Sequence, residues 1–131
     1  MAGPEHFAQL LARVCRERGW ELQPAGVQVS WPSGRSQLIE IEFFEFKREE
    51  LVRLFTTIGE VEGLSAVRLT VALRVNAELA HGCLAVRDDH LVMTETLMLR
   101  DADFGEIEAS IAYLAETADH YEQAIFGTDL Y

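Results

Sequence analysis

Glu40 and Glu42 stand two residues apart in the run Leu38-Ile39-Glu40-Ile41-Glu42-Phe43. On a strand, where the side-chain period is two, this spacing places both carboxylates on one face. A carboxylate pair can divide acid and base work, as glycoside hydrolysis requires. No substrate-binding aromatic cluster accompanies the pair, so a solvated outer strand face is the simpler reading. His81 and Cys83 are also two apart, with His90 seven further on; a metal site wants a fourth ligand and tighter paired spacings. Cys15 or Cys83 beside a histidine could supply a thiolate nucleophile. Both cysteines lie within apolar patterns, which points to inert buried thiols. Asp119 and His120 are adjacent on a helical pattern, and adjacent helical residues point in different directions, so they are surface neighbours and not a dyad. The chain carries no Gly-rich phosphate loop and no GxSxG elbow. These residues give no reason to expect an enzyme, a cofactor or a bound metal.

A second group offers recognition in place of catalysis. Trp31, Phe44, Phe46, Met93 and Met98 fall on strand patterns that otherwise have a single apolar face. Those that point outward would form an adaptable hydrophobic surface for a peptide. If all point inward, they are core.

The elements that must position these residues follow from periodicity. Phe7, Leu10, Leu11 and Val14 form one stripe of a helix over 4–18, with Pro4 in its first turn and Gly19 just past its end. Val27, Val29 and Trp31 alternate with polar residues and predict a strand, followed by a turn at Pro32-Ser33-Gly34-Arg35. The next strand runs from about Gln37 to Phe46. Its register breaks at Phe43-Phe44, which predicts either a bulge there or two partly covered faces. Leu51 to Ile58 fits a helix or a strand. Residues 64–81 pose the converse ambiguity. Val67, Leu69, Val71, Leu73 and Val75 alternate like a strand, whereas the alanines and the His81-Gly82 ending read as a helix and its stop. Cys83 to Val86 and Leu91 to Leu99 predict strands of a hairpin turning at Arg87-Asp88-Asp89-His90. Glu95 interrupts the apolar face of the second. Asp103, with Glu106 three residues on, opens the last helix. Its stripe is Phe104, Ile107, Ile111, Leu114, Ala118, Tyr121 and Ile125, and Gly127 is its expected end.

Composition narrows the partners. The 131 residues are 49% apolar and 25% charged, as expected of one globular domain spanning 1–131. Net charge is -11, which disfavours a phosphate backbone as ligand, so no nucleic acid is expected. Residues 88–131 hold 11 acids against the single base Arg100. That excess is either a solvated helix face or a field that steers a basic partner. No apolar run approaches the ~20 residues of a membrane span, and no secretory signal opens the sequence. The expected location is cytoplasmic.

Taken together, these features resemble the class I type III secretion chaperones and, more closely, the YbjN-like branch of that superfamily. The phrases that carry the likeness are Leu73-Arg74-Val75-Asn76-Ala77-Glu78-Leu79, Gly82-Cys83-Leu84-Ala85-Val86, Asp88-Asp89-His90-Leu91-Val92-Met93 and Ala115-Glu116-Thr117-Ala118-Asp119-His120-Tyr121-Glu122. The resemblance implies an α+β fold in the order α-β-β-β-α-β-β-α, an antiparallel sheet packed by helices. It assigns Leu51 to Ile58 to the third strand and residues 64–81 to the middle helix. It implies a non-enzymatic homodimer with the middle helix at its interface, where Val67, Val71, Arg74 and Val75 are the candidate residues. The implied partner is an extended or amphipathic segment of a client protein. The alternative is a regulatory adaptor that meets a folded partner through its acidic C-terminal helix.

Overall fold

A computed structural model describes residues 3–126. Helix α1 (Pro4–Arg18) is followed by β1 (Glu21–Leu22), β2 (Gly26–Ser30), β3 (Ser36–Phe46) and β4 (Glu49–Glu60). Then come α2 (Ala66–Val75), β5 (Cys83–Arg87), β6 (His90–Met98) and α3 (Phe104–Phe126). The fold is α+β, as expected, with a two-residue strand β1 added before the first expected strand. The six strands form one antiparallel sheet in the order β1-β2-β3-β4-β6-β5.

The apolar stripes decide the layering. Phe7, Leu11 and Val14 of α1 and Ile107, Ile111 and Leu114 of α3 are buried in one core. They share it with Val27, Ile39, Val52, Leu54, Leu84, Met93 and Leu97 from the strands. Register puts these strand residues on a single side: Val27 faces Ile39, Val52 faces Leu97, and Met93 faces Leu84. Both long helices therefore cover the same face of the sheet. Asp103 caps α3 as anticipated, its Oδ1 accepting from the Glu106 N–H at 2.8 Å. The expected end at Gly127 lies outside the described residues.

Two expectations change. The β3–β4 register runs unbroken from Glu40–Phe55 to Phe46–Glu49, so there is no bulge at Phe43-Phe44. Phe43 stays on the covered side, its ring 5.6 Å from and edge-on to that of Phe7, and Phe44 simply falls on the other side. The irregularity lies instead in β4, between Thr57 and Gly59. The middle helix stops at Val75 and does not reach residue 81. The reason is Asn76, whose carboxamide turns away to hold β5: Oδ1 accepts from Leu84 N–H at 2.6 Å and Nδ2 donates to Leu84 O at 3.0 Å. No helix in the described residues is long and apolar enough to cross a membrane.

Candidate functional site

Among the described residues the second face of the sheet carries no helix. Alternation sends Glu40, Glu42, Phe44 and Phe46 of β3 to this side, with Leu51, Arg53 and Phe55 of β4 and Thr94, Thr96 and Met98 of β6. Register then sorts them into rows that cross the strands. Phe44, Leu51 and Met98 make one apolar row. Glu42, Arg53 and Thr96 make the next, and Glu40, Phe55, Thr94 and Cys83 the one beyond. Phe46 continues the apolar end of the face and is 60% exposed; Met98 is 42% exposed.

The charged row is bound to the aromatics. Glu42 accepts from both guanidiniums. Its Oε1 takes Arg53 Nη1 and Arg87 Nη1, each at 3.2 Å, and its Oε2 takes Arg87 Nη2 at 2.8 Å. The Arg87 fork holds the Glu42 carboxyl below its ordinary range, and Arg53 adds to the effect. The same two cations lie over rings: Arg53 at 4.2 Å from the Phe44 centroid, Arg87 at 4.1 Å from that of Phe55. Phe55 is thereby buried on a face that has no helix.

The expected surface residues separate cleanly. Phe44, Phe46 and Met98 come together on the bare face. Met93 does not join them: it is fully buried on the covered side, because it pairs with Leu84 and Thr56 there. Trp31 is half-buried against the helix-covered core, at the tip where Arg35 ties the β2–β3 turn to Asp119 of α3 at 2.7 Å. Leu51, Arg53 and Arg87 belong to the bare face although sequence reasoning passed over them as site residues. Leu51 could have been found by alternation; nothing in the sequence signals that Arg53 and Arg87 converge on one carboxylate.

On α2, Val67, Val71 and Arg74 share one outward stripe, with Val67 72% exposed. Leu73 is also exposed and was not singled out. Val75 differs from expectation: it falls on the Arg68–Ala72 side of the helix and packs toward the core. The residues considered for catalysis stay apart. Glu42 is engaged by the arginines, Cys15 is buried and its thiol is pushed up by that burial, and His81 stacks edge-on against Tyr113. Among the described residues no group of three or more His, Cys, Asp or Glu side chains is placed to hold a metal.

This architecture has known counterparts. One is a crystal structure of the Yersinia pestis type III secretion chaperone SycH in complex with a stable fragment of YscM2. The match has a TM-score of 0.53 at 19% identity and covers 87% of this chain and 98% of that one. Another is the HopA1–SchA chaperone–effector complex, with a TM-score of 0.60 at 10% identity over 89% and 93% of the two chains. The fold is that of the type III secretion chaperones. No family model matches the sequence, and no curated protein does. At these identities the likeness lies in the fold.

Proposed function

We propose that the chain is a non-enzymatic, chaperone-like protein that binds an extended or amphipathic segment of a client protein across the bare face of its sheet. The observation that carries this reading is the row Phe44–Leu51–Met98, extended by Phe46, on a face with no covering helix. Such a row offers pockets for alternate side chains of an extended segment, and the thioether adapts to different ones. The solved counterparts were captured with effector or fragment partners, which agrees with this role. The outward stripe with exposed Val67 and Val71 supports a homodimer through α2. The adaptor alternative has weaker support, because the acids of α3 are partly engaged within the chain. Glu108 meets Arg18 at 3.4 Å, and Asp119 and Glu122 meet Arg35 at 2.7 and 3.6 Å.

The test is affinity capture from the native cells at low and high salt, comparing wild type with the double substitution Phe44→Ala/Met98→Ala. A partner that survives high salt on wild type and is lost from the variant, with the variant's thermal midpoint nearly unchanged, supports the reading. A partner lost at high salt from wild type favours an electrostatic adaptor surface. Equal capture by both proteins at high salt rejects the bare face as the client site. For the dimer, Val71→Glu should sediment as monomer while wild type sediments as dimer; a folded Val71→Glu dimer rejects that interface.

A further inference from the structure

Glu95 breaks the apolar alternation of β6 on the covered face, opposite Leu54 of β4. It faces a half-open cavity of about 310 Å³ lined by His81, Glu106, Ala109, Ser110 and Tyr113. Spacing explains the α3 wall: residues 106, 110 and 113 are four and three apart and share one helix side. The opposite wall is the α2–β5 loop. Gly82 adopts φ 65°, and a Cβ there would come within 2.5 Å of Thr94 O, so only glycine lets the loop press onto β6. That close approach places His81 over the cavity, its ring centroid 5.5 Å from Tyr113's and its backbone amide donating to the Tyr113 hydroxyl oxygen at an N···O distance of 3.4 Å. At the other end the Asn76–Leu84 clamp closes the loop.

The carboxylate in this enclosure lacks a counter-ion. Its Oε1 is withdrawn from solvent with no hydrogen-bond partner, and Glu95 makes no ion pair among the described residues. Burial pushes its carboxyl up, the Glu106 carboxylate reinforces this, and the His81 imidazole opposes it. Leu54, across from it on β4, contributes no charge. With the loop in this position an ionised Glu95 keeps Oε1 without any hydrogen-bond partner, a cost that protonation removes.

We propose that His81, Glu95, Glu106 and Tyr113 form a proton-operated latch, in which proton uptake by Glu95 from solvent closes the 77–83 loop against α3 and proton loss loosens it. The loop hangs from the end of α2, so the latch sets how firmly that helix is held against the domain. The device stands apart from client binding and is tested without a client.

The experiment is amide hydrogen exchange on the full chain, with protection corrected for intrinsic exchange, in the acid range and above neutrality. Protection at the His81 amide, which donates to the Tyr113 hydroxyl, should fall by at least about tenfold with rising pH in wild type. In Glu95→Gln it should stay near the acid value at both. Circular dichroism checks that this variant folds, and Glu95→Leu replaces it if it does not. Tyr113→Phe removes the acceptor for the His81 N–H and should lower loop protection at both pH values. Loop protection in wild type that ignores pH overturns the latch, as does a pH response unchanged by Glu95→Gln. Unchanged protection in Tyr113→Phe would show that α3 does not hold the loop, and that too overturns it.

Discussion

On the covered face of the sheet Glu95 sits opposite Leu54, walled in by α3 and the α2–β5 loop, with no cation bonded to it. On the bare face Glu42 sits opposite Arg53 and is gripped by a second guanidinium from Arg87. One sheet thus holds two carboxylates in opposite conditions. Where helices exclude water, the charge is disfavoured. Where the face is open, guanidiniums neutralise the charge and also lie on the neighbouring rings. The difference teaches what covers each side: packed aliphatic side chains on one, arginine side chains laid over aromatic rings on the other. The apolar row at Phe44, Leu51 and Met98 lies beyond those arginines.

The largest effect that sharpens this contrast comes from two leucines three residues apart on β4. Leu54 is fully buried on the helix side, and Leu51 is half-buried on the bare side. Leu54→Ala should lower unfolding stability by about 3 kcal/mol, through lost burial and a residual cavity. Leu51→Ala should cost less than about 1 kcal/mol. Urea titration of both variants measures it. Equal losses would mean that the supposedly bare face is covered in solution.

Much of this contrast was legible in the sequence, and some was not. The stripes of α1 and α3 read correctly because each helix has one buried side and one wet side. The Arg87–His90 hairpin read correctly because Asp88-Asp89 separates two apolar alternations, and Asp88 does adopt φ 55°. Residues 64–81 misled the period count for a physical reason. Apolar Val67, Val71 and Leu73 remain uncovered on α2 while Ala72 is buried, so apolar residues occur on both sides of one helix and mimic a strand. The early end of α2 depends on Asn76 reaching Leu84, and the bare face depends on Arg53 and Arg87 reaching Glu42. These are contacts between distant segments, and a single sequence does not display them. Met93 and Met98, five residues apart on one strand, fall on opposite sides by alternation alone; which of those sides the helices cover, and so which methionine is core, depends on the packing.

A smaller effect is expected at the tip of the β3–β4 hairpin, next to the apolar row. Lys47 and Arg48 adopt φ 52° and 69°, the left-handed region that a two-residue hairpin turn demands and that Asn-Gly accepts with less strain. Replacing the pair by Asn-Gly should raise stability by about 1 kcal/mol. The thermal midpoint should rise, as a melting curve of the variant against wild type measures. A loss of stability would show that the cations at the tip matter more than its backbone strain.

The smallest effects in size are the most discriminating, because they carry opposite signs. Glu42 has a lowered carboxyl, so its contribution is present above the ordinary carboxylate range and is lost as pH falls through its own lower value. Glu95 has a raised carboxyl, so its contribution is present below that range and is lost as pH rises through its own higher value. Glu42→Gln should therefore be less stable than wild type near neutrality and converge with it in strong acid. The difference should stay below about 1 kcal/mol, because the Glu42 ion pairs are solvent-screened. Glu95→Gln should show the reverse, more stable than wild type near neutrality and converging with it in acid. Urea midpoints of the three proteins across the acid-to-neutral range decide the matter. Slopes of the same sign for the two variants would mean that net charge, at -11 for the chain, governs both carboxylates, and that the two faces do not differ in the way the side-chain contacts indicate.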